Sequence, residues 1–438
     1  MAPNPDIMQA VERLDYRVTV GDVASQAGLN VNFAQQGLLA LASDAGGHLQ
    51  VAESGEVVYL FPQNFRTVLR RKYLQLQLQE WWGKVWKILF YLIRISFGVV
   101  LMVSIALILL SIVLIITAAN SSRDSDDRQD SGGGAVFMPH LGFGSDFFLF
   151  FSPGYYDHPR QQNLQRSRHS DKSELNFLEA IFSFLFGDGN PNADLEERRW
   201  QAIGTVIRNQ RGAVVAEQLA PYLDNIGQGY HREYEEYMLP VLTRFNGQPE
   251  VSPEGDIVYH FPELQATAAQ TRPKPVSASF QEFPWRFSQA GSGQLLLAIG
   301  LGGVNLIGAL ALGKLLADGA AAAALGGLVA FVQSIYWVLL GYGSAFLALP
   351  LVRYFWVQWR NRKIAARNET RQSYAVQLNQ ADAKLQGKIA YAQQFATETV
   401  IGTTDLAYTT ERDLVEQDVE QVSKIDAEWQ RRLNQEHK

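Results

Sequence analysis

Cysteine is missing from the 438-residue sequence. That absence excludes disulfides, thiolate zinc sites, cysteine nucleophiles and cysteine-ligated iron–sulfur clusters together. Histidine is sparse, and His48, His140, His158, His169, His260 and His437 lie in separate segments with no HExxH pattern. His231, Glu233 and Glu236 fall on one helical turn, but their neighbours describe a charged, solvated face. The Walker loop, the GxGxxG fingerprint and the GxSxG elbow are all lacking. Nothing nominates a nucleophile, a base, a metal site or a cofactor site, so no enzyme and no cofactor are expected. An excess of positive charge is missing too. The net charge of −6 and the pI near 5.7 argue against a protein built around a polyanion.

What the sequence does have is long apolar runs. Ser96 to Ala118 carries no charge over more than twenty residues, whereas a helix needs roughly 20 to cross the hydrocarbon core. Trp81, Trp82, Lys84, Trp86, Lys87, Tyr91 and Arg94 precede it as an interfacial lead-in. Leu295–Leu312 and Leu325–Val352 form a predicted helical hairpin, with glycines at 300, 303, 308, 326 and 327 that let helix backbones approach closely. Asn305 and Gln333 are the polar residues inside these spans, and an interhelical hydrogen bond is the plainer reading for each. Cations flank both the first span (Arg66, Arg70, Arg71, Lys72) and the last (Arg353, Arg360, Arg362, Lys363, Arg367). Three crossings cannot place both flanks in the cytoplasm, so one flank breaks the positive-inside rule or the aromatic stretch from Ala135 to Ser145 and beyond enters the membrane. That stretch, interrupted by Pro139 and Asp146, reads as interfacial.

Self-comparison reveals a repeat. Residues 47–62 (GHLQVAESGEVVYLFP) and 247–262 (GQPEVSPEGDIVYHFP) share seven of sixteen positions, each 200 apart. Upstream, 18–28 aligns more loosely with 213–223, and Leu39 and Leu41 with Leu239 and Val241. One copy reads as a short strand at Val18–Val20, then a helix capped by Asp22, then a helix capped by Asn30 or Asn32. A hairpin turning at Ser54-Gly55 completes it. Strand, helix, helix, hairpin is the order of a winged helix. A DNA reader needs cations on its recognition helix and wing. NVNFAQQGLLALAS has none, HREYEEYMLPVL is more acidic than basic, and the wings carry Glu53 and Glu56, and Glu250, Glu254 and Asp256. Protein recognition is therefore favoured over nucleic acid, with Phe33, Gln36, Tyr59, Phe61, Tyr237, Tyr259 and Phe261 as candidate partner contacts.

The segment Asp188-Gly-Asn190-Pro-Asn192-Ala-Asp194 alternates oxygen side chains as a calcium loop does, but Ala193 and Arg199 occupy positions that need Gly and Glu. A capping box of Asp194 and Glu197 is the preferred reading. NFLEAIFSFLF at 176–186 should lie on the membrane or against the second module. In the tail, Tyr374, Leu378, Ala381, Leu385, Ala392 and Phe395 form a stripe for a partner helix or for folding back, and Thr399–Thr410 interrupts the helix as a hairpin or docking strand.

The segments RVTVGDVASQAGL, VVYLFPQNFR, FGDGNPN, LAPYLD, LPVLTRFNGQPEV and ETVIGTTDLAYTTERD resemble a family of plant chloroplast membrane proteins and their cyanobacterial relatives, over nearly the whole chain. Plant members carry the label "iron-sulfur cluster biosynthesis family protein". The resemblance implies a photosynthetic membrane, here a cyanobacterial thylakoid or plasma membrane. It implies no reaction and no site residues, and in a cysteine-free chain the label leaves only a partner role in cluster assembly. The expectation is an α+β multi-domain membrane protein with two winged-helix-like modules, about three transmembrane helices and a helical C-terminal tail. Its divisions are 1–70, 73–120, 121–175, 176–268, 269–293, 294–354 and 355–438. The expected function is a membrane-anchored scaffold or assembly factor that meets lipids, unknown protein partners or a second copy of itself in a homo-oligomer. Alternatives are an oligomeric channel or transporter and a membrane-tethered transcription regulator.

Overall fold

The computed structural model describes residues 3–123 and 176–436, apart from positions 73, 225, 228, 229, 271, 318 and 404. The expected interfacial stretch after Ala135 and the linker 124–175 lie outside the described residues. The first elements are α1 (Pro5–Arg13), β1 (Arg17–Thr19), α2 (Val20–Ala27), α3 (Val31–Ala45), β2 (His48–Ala52), β3 (Val57–Leu60), α4 (Phe65–Lys72) and α5 (Leu74–Arg123). There follow α6 (Phe177–Phe186), α7 (Leu195–Asn209), β4 (Ala213–Val214), α8 (Ala216–Leu219), α9 (Leu239–Phe245), β5 (Gln248–Val251), β6 (Ile257–His260) and β7 (Ala266–Thr267). Then come α10 (Ser292–Leu316), α11 (Gly327–Ser334), α12 (Tyr336–Asn379), α13 (Ala383–Ala392), β8 (Thr399–Val400), β9 (Leu406–Thr409) and α14 (Leu414–Glu436). The chain divides into two compact units, 1–82 with 191–284 and 362–438, and 83–190 with 285–361.

The first unit is mixed helix and sheet. Local chemistry sets its opening helices: Asn4 caps α1, Thr19 caps α2 with Asp22 returning the bond to the Thr19 amide, and Asn30 caps α3. Asp22 is thus the third helical residue and not the cap itself. The strands β1, β3 and β2 run side by side and antiparallel, as do β4, β6 and β5. Registers match at the 200-residue interval: His48 pairs with Leu60 and Gln248 with His260, Val51 with Val57 and Val251 with Ile257. Both hairpins turn on a glycine at positive φ, Gly55 at 93° and Gly255 at 87°, which a side chain rarely tolerates. Burial repeats too, because Leu41 and Val241, Tyr59 and Tyr259, and Phe61 and Phe261 all lie inside one core that spans both repeats.

Three expectations need correction here. Val18 pairs with Tyr59 and Val214 with Tyr259, so the upstream halves correspond one residue away from the loose alignment of 18–28 with 213–223. HREYEEYMLPVL is not one helix. Glu235 sits in the left-handed region at φ 52°, and the regular helix begins only at Leu239. The stretch 269–284 is no free linker, since Phe280 joins the core and its amide donates to the Pro221 carbonyl at 3.1 Å.

The tail is folded back into the same unit. Asp382 caps α13, so the helix stops at Asn379 and restarts. Leu385, Ala392 and Phe395 of the apolar stripe, joined by Ile389, then cover Val215 and Val258 of the second repeat. Beyond them β8 pairs parallel with β7, and β9 adds a fourth strand to the outer edge of β2, with Val51 opposite Tyr408. The two strands serve two different sheets and do not form a hairpin with each other.

The second unit is built of apolar helices. Three helical segments are long and apolar enough to cross a membrane: Trp81–Asn120, Ser292–Leu316 and Tyr336–Asn379. The expected span at 325–352 is divided between α11 and α12 with a break at Ile335, and α12 runs on through Pro350 into the charged tail. Small residues set the packing, for a Cβ on Gly302 would lie 2.6 Å from the Phe346 ring and one on Gly308 would lie 2.9 Å from Ile108. Buried Ser104 donates to Asn305 Oδ1 at 2.9 Å, the interhelical bond expected of that amide. Helix α6 packs here, with Ile181 and Phe184 against Leu101, Ala298 and Phe346, and so belongs with the apolar helices and not with residues 191–268.

Candidate functional site

The two outer features of the first repeat are the solvent face of α3 and the β2–β3 hairpin. Helix α3 buries Val31, Ala34, Leu38, Leu41, Ala42 and Ala45, the 3–4 spacing of a single apolar side. The opposite side is then obliged to face water, and it carries Phe33, Gln36 and Leu39. Phe33 is 48% exposed and Leu39 53% exposed, six residues apart with exposed Gln36 between them. No residue from Val31 to Ser43 is charged. The tip of the β2–β3 hairpin carries Glu53 and Glu56, of which Glu53 is exposed. An uncharged, half-apolar helix face can bury an apolar side chain of a partner. It offers no cation to a phosphate.

The outer edge of the hairpin is already occupied. Thr410 donates its amide to the Leu49 carbonyl at 2.9 Å and Glu53 donates to the Asp405 carbonyl at 2.9 Å, so β9 takes up the hydrogen bonds of the free β2 edge. That leaves α3, and not the sheet edge, as the accessible part of the module.

Of the seven expected contacts, Phe33 and Gln36 stand on this surface. Tyr59, Phe61, Tyr259 and Phe261 do not: each is at most 4% exposed. The reason is the two-residue period of a strand, which sends positions 59 and 61 to the same face, here the inner one. Gly47 and Gly247 make room for the two phenylalanines, since a Cβ at either would lie within 2.9 Å of the ring. Tyr237 is half-buried in the short 3-10 turn before α9. The equivalent of Leu39 in the second repeat, Leu239, is 59% exposed, but it heads a seven-residue helix with Pro240 behind it. No continuous second face results.

Sequence reasoning missed a buried ionic cluster that fastens the tail. Lys388, 6% exposed, donates to both Glu217 oxygens at 3.0 and 2.9 Å and to Glu235 at 2.5 Å. Tyr259 donates to the other Glu235 oxygen at 2.8 Å. Burial works against the Lys388 ammonium, but the two carboxylates outweigh it and its pKa is raised. Burial and Glu235 together push the Tyr259 hydroxyl up, which keeps it a donor. A lysine in a charged tail gives no hint of this role, because its partners lie 153 and 171 residues away.

The candidate cation loop resolves into separate bonds. Asp188 accepts from Arg94 at 2.8 Å, from Ser183 Oγ at 2.6 Å and from the Gln289 amide at 2.8 Å. Asn192 accepts from the Phe283 amide at 2.8 Å, and Asp194 pairs with Arg198 at 3.0 Å in place of capping. His231 meets Glu236 at 2.5 Å on an exposed surface. Among the described residues no group of three His, Asp or Glu could hold a metal ion.

Over 98% of its length the chain is 39% identical to a protein of Arabidopsis thaliana named "Uncharacterized protein At5g03900, chloroplastic", and it covers 82% of that protein. The chain belongs to that protein's family. The relative's name places it in the chloroplast and mentions no iron–sulfur process, so the iron–sulfur label implied by resemblance finds no support there. No family model matches the sequence. No solved structure matches it either.

Proposed function

We propose that the chain is a membrane-anchored scaffold or assembly factor of a photosynthetic membrane, thylakoid or plasma membrane in a cyanobacterium. In this reading both repeats are winged-helix modules, and the first recruits a protein through α3. The observation that carries it is the uncharged, exposed face of Phe33, Gln36 and Leu39. The order helix, strand, helix, helix, strand, strand supports the winged-helix reading of both repeats. The chloroplastic relative and the three apolar helices support the location. Regulation of transcription is disfavoured by charge, since a duplex would meet Glu53 where it needs a cation.

Full-length tagged protein purified from solubilised membranes should retain a stoichiometric partner. Phe33→Glu should abolish its recovery, because a carboxylate in an apolar contact costs several kcal/mol of binding. Equal recovery with wild type and Phe33→Glu would remove the α3 reading, and salt-dependent duplex binding by the full chain would favour the regulator.

A further inference from the structure

The first unit contains a cavity of about 680 Å³, away from α3. It lies where α2 of the first repeat meets α7 of the second, lined also by Gln270, Arg272, Pro273 and Lys274. Charged residues around it are Arg208, Arg211, Arg272 and Lys274 against Asp22 and Glu398, a formal excess of two positive charges. This concentration stands out in a chain whose net charge is −6.

The pairing within the cavity is incomplete. Arg208 pairs with Asp22 at 2.6 Å and donates to Ser25 Oγ at 3.1 Å. Asp22 is heavily committed elsewhere, accepting from the Thr19 and Ala268 amides at 2.9 and 3.0 Å and from Thr267 Oγ1 at 3.0 Å. Asp22 attracts the Lys274 ammonium through space but forms no ion pair with it. Lys274 reaches only a neutral partner, Gln26 Oε1, at 2.6 Å. Among the described residues neither Arg211 nor Arg272 forms an ion pair. The Lys274 backbone is held in place by two bonds with the Asn209 side chain, at 2.8 and 3.1 Å, so its position does not depend on its ammonium. Arg211 is fixed likewise, its carbonyl accepting from the Thr397 amide at 3.1 Å. Burial, and then the like charge of Arg208, hold the Lys274 ammonium below the ordinary lysine range.

We infer that this cavity binds a compound bearing a phosphate monoester. Among the described residues Arg211, Arg272 and Lys274 form no ion pair, and all three are exposed at the mouth of the cavity. The backbone of Arg211 and Lys274 is pinned independently of the side chains, so they are placed to receive an anion. A monoester carries close to two negative charges at neutral pH, which matches the excess, and the guanidinium fork fits its oxygens. The volume falls within the range of small-molecule sites and exceeds what a bare phosphate fills. The group can come from a soluble ester or from a phosphatidic-acid headgroup.

The test is titration of the detergent-solubilised full chain with glycerol 3-phosphate, and separately with mixed micelles of phosphatidic acid, using phosphatidylcholine and succinate as controls. Saturable binding of either phosphate compound is expected, with succinate at least tenfold weaker, and the tighter of the two identifies the source. Arg272→Gln and Lys274→Gln should each weaken binding by about tenfold, one charge-assisted bond apiece. Lys274→Arg should restore it, and the unliganded melting temperatures should stay together because neither side chain makes an ion pair. No saturable binding of either phosphate compound, equal binding of succinate, or unchanged affinity in both glutamine variants would overturn the assignment.

Discussion

Lys388→Met should destabilise the first unit by about 3 kcal/mol, near the lower end of what breaking a buried ion pair costs. The substitution keeps the aliphatic length of the side chain and deletes only the ammonium that three carboxylate contacts share. Glu235, with 11% of its side chain exposed, would be left buried against Tyr259 and near Glu217 with no compensating cation. Glu217 is 39% exposed and can turn to water, which keeps the cost from reaching the upper end. Denaturant midpoints of the purified full chain measure the loss, and limited proteolysis should show first cleavage moving to residues 379–398. Adding Glu235→Gln should recover at least half, because the orphaned charge is then gone. A single-substitution loss below about 1 kcal/mol would mean that the tail is held by its apolar contacts and strands and not by the ionic cluster.

The second large effect is expected at Gly21. A Cβ there would lie 1.9 Å from the carbonyl oxygen of Glu263, an overlap that only backbone movement relieves. The contact joins α2 to the short helix Pro262–Gln265, close to where Gly204 of α7 lets the Ser25 backbone approach to 3.0 Å of its own notional Cβ. Gly21→Ala should therefore cost on the order of 4 kcal/mol, as overpacking at an immobile contact does at its worst. Helix propensity alone predicts the opposite sign, a gain of about 1 kcal/mol for alanine over glycine in a helix. Gly387→Ala supplies that comparison, since nothing lies within 4 Å of its Cβ and the residue sits exposed on α13. Melting temperatures of the two variants should move in opposite directions. If both rise, the repeats do not share a close interface at α2.

How far the sequence speaks for itself differs along the chain. The repeated hairpin is legible because a tight turn demands glycine and a strand face demands apolar alternation, and both demands recur at 55 and 255 and at 58–61 and 258–261. The upstream half is not, because Thr19 and Val215 perform the same helix-starting role with different chemistry. A one-residue slip then goes unnoticed until strand pairing exposes it. Alternation also places Tyr59 and Phe61 together without saying whether they face solvent or core. Membrane-length runs are read directly from the absence of charge, but the break at Ile335 carries no proline or charge to announce it. Strands β8 and β9 are the least legible elements. Their partners lie more than 130 residues away, so Thr399–Thr410 signals only that the helix is interrupted.

The α3 face itself was accessible to sequence reasoning, since the buried positions of an amphipathic helix identify the exposed ones. For Leu39 the sequence signals only its match with Leu239, not its exposure. The cationic cavity was not accessible, because its charges come from the end of α7, the 270–274 crossing and the tail, and only the packed unit brings them together.

The central claim is that a protein partner seats on α3, and photo-crosslinking at that face tests it most directly. A photoreactive phenylalanine analogue at Phe33 or Gln36 of the full chain, activated in intact membranes, should give one discrete protein adduct. The same analogue at Gln386, also exposed, on α13, should give none. Adducts of the same pattern from both sites, or lipid and nucleic-acid adducts alone at position 33, would contradict the account.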